Sequence, residues 1–501
     1  MTDNQSPSRR KTLTCIGLAA LLLLGVGLYL ANLSPGTNPG IEIKQQSFSF
    51  LKKIRTQKKN EVITYFNEIQ QRAHSVKNDK LMLDFFRALL QGNHSPELEY
   101  EIDKHYVTEY GNFYDILFVD AKGLVFHSIR KENDYQKNLF AAEMTKTKLA
   151  KALRKPGDTQ FVEFQYYPPS DEPAAFFTVS VNKGAAHLGW FVLQFATNSV
   201  NTILTLRRDL GRSGEVYLIN QESLMLTDSR FMEDSTILHQ KVDTQAVKDA
   251  LQRNSGESII TDYRGQRVFS SYEKFMLAGV SWIIIAEIDE DEVITEHYKN
   301  NKKYFQNEFI RRLSQKEHQP YRAGRNNLRN KRVDMNEFAK TDKGKQLITQ
   351  GVATCTAVAI CYPGKFGYLA HISPTDEIYQ NTLFTKILLG NQYHNFMSGL
   401  IGKIKFFEIY PHEINKLKII ITAPHTTSFA KAVDAALAHN IELANIKFLF
   451  DPQAMSADVT INDDGSSLNV QWTEKERIFV ESSASTPDLG TLLKEIIGYT
   501  T

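Results

Sequence analysis

A chain of 501 residues with a formal net charge of +2 and 42% hydrophobic residues is too long for one ordinary core. Its charge balance argues against a general nucleic-acid binder. Three cysteines exclude a disulfide-stapled scaffold and a multi-cysteine zinc module.

The first element is "TLTCIGLAALLLLGVGLYLANL", Thr12 to Leu33, uncharged and preceded directly by Arg9, Arg10 and Lys11. At about 1.5 Å per residue, such a run crosses a hydrocarbon core of about 30 Å. The basic flank favours an N-inside orientation and puts the chain after Pro35 outside the cytoplasm. A cleaved signal peptide is the competing reading, but the apolar stretch is long for one and no small-x-small site follows it. Residues 1–40 are therefore expected to form a cytoplasmic tip and a single-pass membrane anchor. The later run "AGVSWIIIAEI" is too short to span and is closed by Glu287 and Asp289, so it is expected to be a buried strand.

From Phe48 to about Leu90, Val62, Phe66, Ile69 and Ala73 recur at spacings of three and four, which predicts a long helix. "FYDILFVDAKGLVFHS" then reads as strand, turn and strand. Similar patterns recur at "AAFFTVSVN", "LGWFVLQFA", "GEVYLINQESLMLTDS", "SGESIITDYRGQRVFSSYEKF" and "VSWIIIAEID", with helical stretches near 137–154 and 243–253. The pattern predicts two successive antiparallel sheet units flanked by helices, an α+β arrangement.

The order "LGWFVLQFATNSVNTIL", "GRSGEVYLINQESLMLTDSRF" and "DYRGQRVFSSYEKF…GVSWIIIAEIDEDEV" resembles the double Cache sensor domain of bacterial chemoreceptors, over about residues 41–297. The resemblance implies paired PAS-like sheets that bind a small molecule outside the membrane, and a bacterial inner-membrane location. The segment "FVEFQYYPPSDEPAAFF" is expected beside the first pocket, with Tyr166 and Tyr167 as walls and Asp171 and Glu172 as polar contacts. Alternatively, the tyrosines pack on the sheet and the Pro-Ser-Asp run is an exposed loop. The arginine-tryptophan pattern of amino-acid-binding Cache domains is not evident, so an amino-acid ligand has no support. Residues 298–342, rich in Lys, Arg and Asn, read as a basic linker.

Beyond it, "TCTAVAICY", "FGYLAHIS", "LKIIITAP", "NIKFLFDP" and "SLNVQW" read as strands and "SFAKAVDAALAHNI" as a helix, a separate mixed α/β domain over 343–501. Cys355 stands at a strand entry and His371 on the neighbouring strand. An imidazole can take the thiol proton and later protonate a leaving amine, provided a third polar group fixes its tautomer. Thr349 offers that hydroxyl.

The spacing T-x5-C followed by A-H after fifteen intervening residues resembles the CheD family of chemotaxis deamidases. The resemblance covers about 343–475. It implies Cys355 as nucleophile, His371 as base and acid, and Thr349 as orienting hydroxyl, converting a protein glutamine to glutamate without metal or organic cofactor. Ala353 and Thr354 depart from the family's glycine and serine before the cysteine. Gly367-Tyr368 replaces a glycine pair, and "ITAPH" replaces "F-G-G-A". Cys361 reads as core. A Cys355–Cys361 disulfide is not expected, because six strand residues separate the two by roughly 20 Å. His412, His425 and His439 have no zinc-ligand spacing.

The whole reads as a membrane sensor with a small-molecule ligand and a deamidase domain acting on a protein. The alternative is a non-enzymatic receptor or adaptor in which the CheD-like fold binds without catalysis. The family acts in the cytoplasm, whereas the anchor places this domain outside.

Overall fold

The computed structural model describes residues 39–501 apart from 109–112, 156, 196, 206–209, 314–328, 374–395, 425–432, 435, 452, 475–477, 484–485 and 499–501. The candidate anchor, 12–33, lies outside the described residues, and among those described no helix is long and apolar enough to cross a membrane. Residue contacts define one unit, Gln45–Glu292, and a second formed by Val293 onward with the start of the first helix. The protein is mixed α+β, with antiparallel sheets and a long helix near its N-terminus.

That helix, α1 (Pro39–Val76), buries Val62, Phe66, Ile69, Ala73 and Val76, one stripe at alternating spacings of four and three. It does not run on to Leu90. The chain turns at 77–78, and Asp79 accepts a hydrogen bond from Met82 N at 3.1 Å to cap a second helix, α2 (Lys80–Leu90). A cap acid inside a helical apolar pattern is what broke the expected single helix in two.

The first sheet has the order β2-β1-β5-β4-β3, from β1 (Phe113–Asp120), β2 (Val125–Ser128), β3 (Thr159–Tyr167), β4 (Glu172–Lys183) and β5 (Ala186–Phe195). The second, β6-β9-β8-β7, uses β6 (Glu215–Ile219), β7 (Ser255–Thr261), β8 (Arg267–Leu277) and β9 (Val280–Asp289). Every described pair in both sheets is antiparallel. Phe66 of α1 meets Phe161 of β3 at 5.2 Å, Phe195 of β5 at 4.9 Å and Trp282 of β9 at 5.1 Å, so one helical ring ties both sheets into one core. Buried Arg55 donates to Ser271 Oγ (2.8 Å) and Tyr272 O (2.9 Å) on β8 and pairs with Glu273 at 3.2 Å.

In the second unit, one sheet has the order β10-β12-β17-β18-β19, from β10 (Arg329–Arg332), β12 (Lys345–Val352), β17 (Ser456–Ile461), β18 (Leu468–Thr473) and β19 (Ile478–Ser482). The other has the order β11-β14-β13-β15-β16, from β11 (Glu337–Lys340), β13 (Thr356–Tyr362), β14 (Phe366–Ile372), β15 (Lys418–Ala423) and β16 (Ile446–Phe450). Leu347, Val459, Val470 and Trp472 of the first share a buried cluster with Cys355, Ala357, Ala359, Cys361 and Leu369 of the second. The stretch 298–342, read as a linker, contributes edge strands β10 and β11 and a helix, Lys302–Leu313. Edge strands such as β10 pair through their backbone and leave side chains such as Arg332 in water, so their hydropathy conceals them.

Candidate functional site

Thr349 is on β12, which stays paired as far as Val352 before the chain leaves that sheet. Gly351, at φ +68°, sits at an irregularity of β12 between Thr349 and Val352 in a left-handed conformation open chiefly to glycine, and its N–H donates to Asp458 Oδ1 at 3.0 Å, while Val352 beyond it still pairs with Ala457. After the bend at 353–355 the chain enters β13 in the opposite sheet. Thr349 and Cys355, six positions apart, thus belong to the two walls of one core.

His371 on β14 is the cross-strand partner of Ala357, and Ala359 is that of Leu369. Side chains two apart share a sheet face, so Cys355, Ala357, Leu369 and His371 look into the inter-sheet core. All three predicted residues are buried: Thr349 fully, His371 at 5% exposure and Cys355 at 6%.

Thr349 Oγ1 donates to Val333 O at 2.8 Å and lies 2.7 Å from His371 Nδ1. A hydroxyl has one proton. With that proton on the carbonyl, the oxygen accepts from Nδ1–H, and the lone pair of the neutral imidazole is on Nε2. Nε2 is buried without a hydrogen-bond partner. Burial pushes the imidazole pKa down, opposed by the nearby Asp334 charge. The result is a neutral base of defined tautomer.

Cys355 is not hydrogen-bonded to that base. Its Sγ lies 3.7 Å from Met335 Sδ, and burial pushes the thiol up, opposed by a hydrogen bond with Thr354. The sulfur must turn from Met335 toward His371 before proton transfer. Cys361 is 98% excluded from solvent and pushed up to about 12; both cysteines are free thiols. Gly367 packs where a Cβ would meet Ile461 Cδ1 at 2.7 Å. Tyr368 faces away from the Cys355 side, and its hydroxyl donates to Glu408 Oε1 at 2.7 Å. Tyr368 therefore does not occupy the Cys355 face of β14. His425, in "ITAPH", lies outside the described residues.

In the first unit, the four residues expected beside a ligand separate, and Glu172, at the start of β4, is exposed. Tyr166 is 52% exposed and its hydroxyl contacts Asp171 at the tip of the β3–β4 hairpin. Tyr167 points to the opposite face, fully buried, donating to Asp134 Oδ2 at 2.9 Å. Burial raises Asp134 to about 6, and burial also raises Asp115. Asp115 accepts from Ser128 Oγ (2.7 Å) and from the backbone N–H groups of Ile116 and Arg130. Asp134 Oδ1, Glu132 Oε2 and Gln165 Nε2 are buried without partners. Sequence reasoning missed these acids, although Asp115 in the middle of the apolar strand "FYDILF" was a visible signal.

No family model and no curated protein matches the chain. Similar solved structures include an extracellular ligand-binding receptor from Desulfohalobium retbaense, with 11% identity and a TM-score of 0.36, covering 48% of this chain and 40% of that one. The chain thus spans less than half of that receptor's length. The periplasmic sensory domain of the Campylobacter jejuni chemoreceptor Tlp1 shows 11% identity and a TM-score of 0.37, covering 50% and 98%. The ligand-binding domain of the Pseudomonas aeruginosa amino acid chemoreceptor PctB, in complex with L-Arg, shows 18% identity and a TM-score of 0.29, covering 46% and 97%. These neighbours are sensory and ligand-binding domains, and the similarity extends over about half of this chain.

Proposed function

We propose that the chain is a membrane-anchored sensor whose Gln45–Glu292 unit binds a small ligand and whose C-terminal unit is a CheD-like cysteine hydrolase that deamidates protein glutamine. The observation that carries the enzymatic reading is the Thr349–His371 hydrogen bond, which leaves Nε2 as an unpartnered buried base beside the strand entered at Cys355. In this reaction His371 takes the Cys355 proton and the sulfur attacks the amide carbon. The imidazolium gives its proton to the departing ammonia, leaving a thioester. Water, deprotonated by the same histidine, cleaves the thioester to glutamate and restores the thiol.

The test is ammonia release from glutamine-bearing chemoreceptor fragments incubated with the full chain. Release that disappears in Cys355→Ser supports the reading, and release unchanged in that variant overturns it. A non-enzymatic binding role is favoured by one observation, the resting contact of Cys355 with Met335 rather than His371. It predicts capture of such fragments without ammonia release.

The ligand side rests on the spare carboxylate oxygens of Asp134 and Glu132, which suit a molecule that brings N–H donors. The anchor rests on the uncharged run 12–33 and its basic flank. It predicts retention in the membrane pellet at high salt and access of protease to the C-terminal unit in spheroplasts.

A further inference from the structure

A group of metal-ligating side chains lies outside both sites described above. His94 precedes the helix α3 (Pro96–Ile102), Glu99 is on that helix, and His127 is on β2. One donor atom from each lies within 4.8 Å of the others. His127 Nε2 is 3.3 Å from Glu99 Oε1, and His94 Nε2 contacts Glu99 Oε2. Two donors held tetrahedrally at about 2.0–2.1 Å from one zinc ion stand roughly 3.3 Å apart, so these side chains need little movement to close on an ion.

His127 supplies an independent sign. It is 3% exposed, and its Nε2 is buried and aimed at the carboxylate without a hydrogen-bond partner. The rings of Phe85 and Phe118, at 5.3 and 5.6 Å, hold the imidazole on that aim.

We propose that His94, Glu99 and His127 bind a divalent transition metal of the zinc type, with a fourth position left for water or a ligand atom. Glu99 also forms part of the wall of a cleft of about 340 Å³ with Tyr100, Asp103 and Arg130, so the ion lies beside a space of small-ligand size. The site does not depend on the function proposed for either unit. One cation already competes for it: Lys131 Nζ is 3.0 Å from Glu99 Oε1. That side chain is 47% exposed and can withdraw into water when the metal arrives. Lys131 and the metal are therefore alternatives on one carboxylate.

The test uses the full chain without a polyhistidine tag, stripped of metal and titrated with Co²⁺, followed by visible absorption and then by displacement with Zn²⁺. The expected result is one equivalent bound, with the intense bands of a tetrahedral ion. His94→Ala and Glu99→Gln, both at the less buried side of the site, are expected to weaken binding about tenfold or more each. Lys131→Ala is expected to tighten it. His127→Ala is expected to abolish it, with thermal melting confirming that this variant folds. A wild-type titration indistinguishable from that of the His94→Ala, Glu99→Gln double variant would overturn the proposal.

Discussion

Thr349 Oγ1 lies 2.7 Å from His371 Nδ1, although the two residues are on strands of different sheets. The contact crosses a buried apolar core, where such a bond is seldom replaced by water.

Thr349→Val keeps the side-chain shape and removes the hydroxyl. It leaves Val333 O and the Nδ1–H without their partner and is expected to cost about 1–3 kcal/mol in urea unfolding. The same variant frees the imidazole to exchange tautomers, so Cys355 alkylation should slow. Thr349→Ser, which restores the hydroxyl, should recover most of both effects.

Glu287 gives a pH dependence of known sign. It is buried opposite Glu215 across the second sheet, and burial raises its pKa from 4.5 to about 8, opposed by the hydrogen bond from Tyr217. The folded chain binds this proton more tightly than the unfolded chain. The associated penalty is absent below about pH 4.5, grows as pH rises toward 8, and is complete above it. Glu287→Gln should therefore become more stable relative to wild type as pH rises through this window. Denaturation midpoints at pH 5 to 9, read as the difference between the two proteins, check this; a constant difference contradicts it.

Arg55 pins α1 to β8 through three groups. Arg55→Met removes all three, but Lys59 still pairs with Glu273 at 2.5 Å. The expected loss is therefore at the lower end for a broken buried pair, about 3 kcal/mol, measured by chemical denaturation.

Tyr166 and Tyr167 are adjacent and should respond oppositely. Tyr167→Phe takes away the hydroxyl that holds Asp134 and should cost about 1–3 kcal/mol. Tyr166→Phe, at an exposed hairpin tip, should stay within about 0.5 kcal/mol. Thermal melts of the two variants separate the cases.

Much of this architecture was legible because alternating apolar residues and turn glycines specify hairpins. β1–β2, β7–β8 and β13–β14 fall where those patterns place them. The order Thr349, Cys355, His371 was readable as well, but not that the bend at 353–355 carries the chain from one sheet to the other, a fact of tertiary packing. The sequence leaves Tyr167 open between a ligand wall and packing on the sheet, because an aromatic-polar run does not say which face a side chain takes. The register of β3 against β4 does, since adjacent strand residues face opposite sides of the sheet, and it turns Tyr167 inward and Tyr166 outward. β10 and β11 were hidden by their charge. The pairing of His127 with His94 and Glu99 was hidden by sequence distance, since two histidines 33 positions apart form no local motif.

The most direct measurement is the pH dependence of Cys355 alkylation in the full chain, resolved by peptide mass mapping, in wild type and His371→Ala. Cys361 serves as a buried internal reference. The account predicts that Cys355 reacts at neutral pH while Cys361 stays silent, and that removing His371 slows Cys355 by about 10²-fold. Identical Cys355 profiles with and without His371 would contradict it and leave the C-terminal unit a binding module.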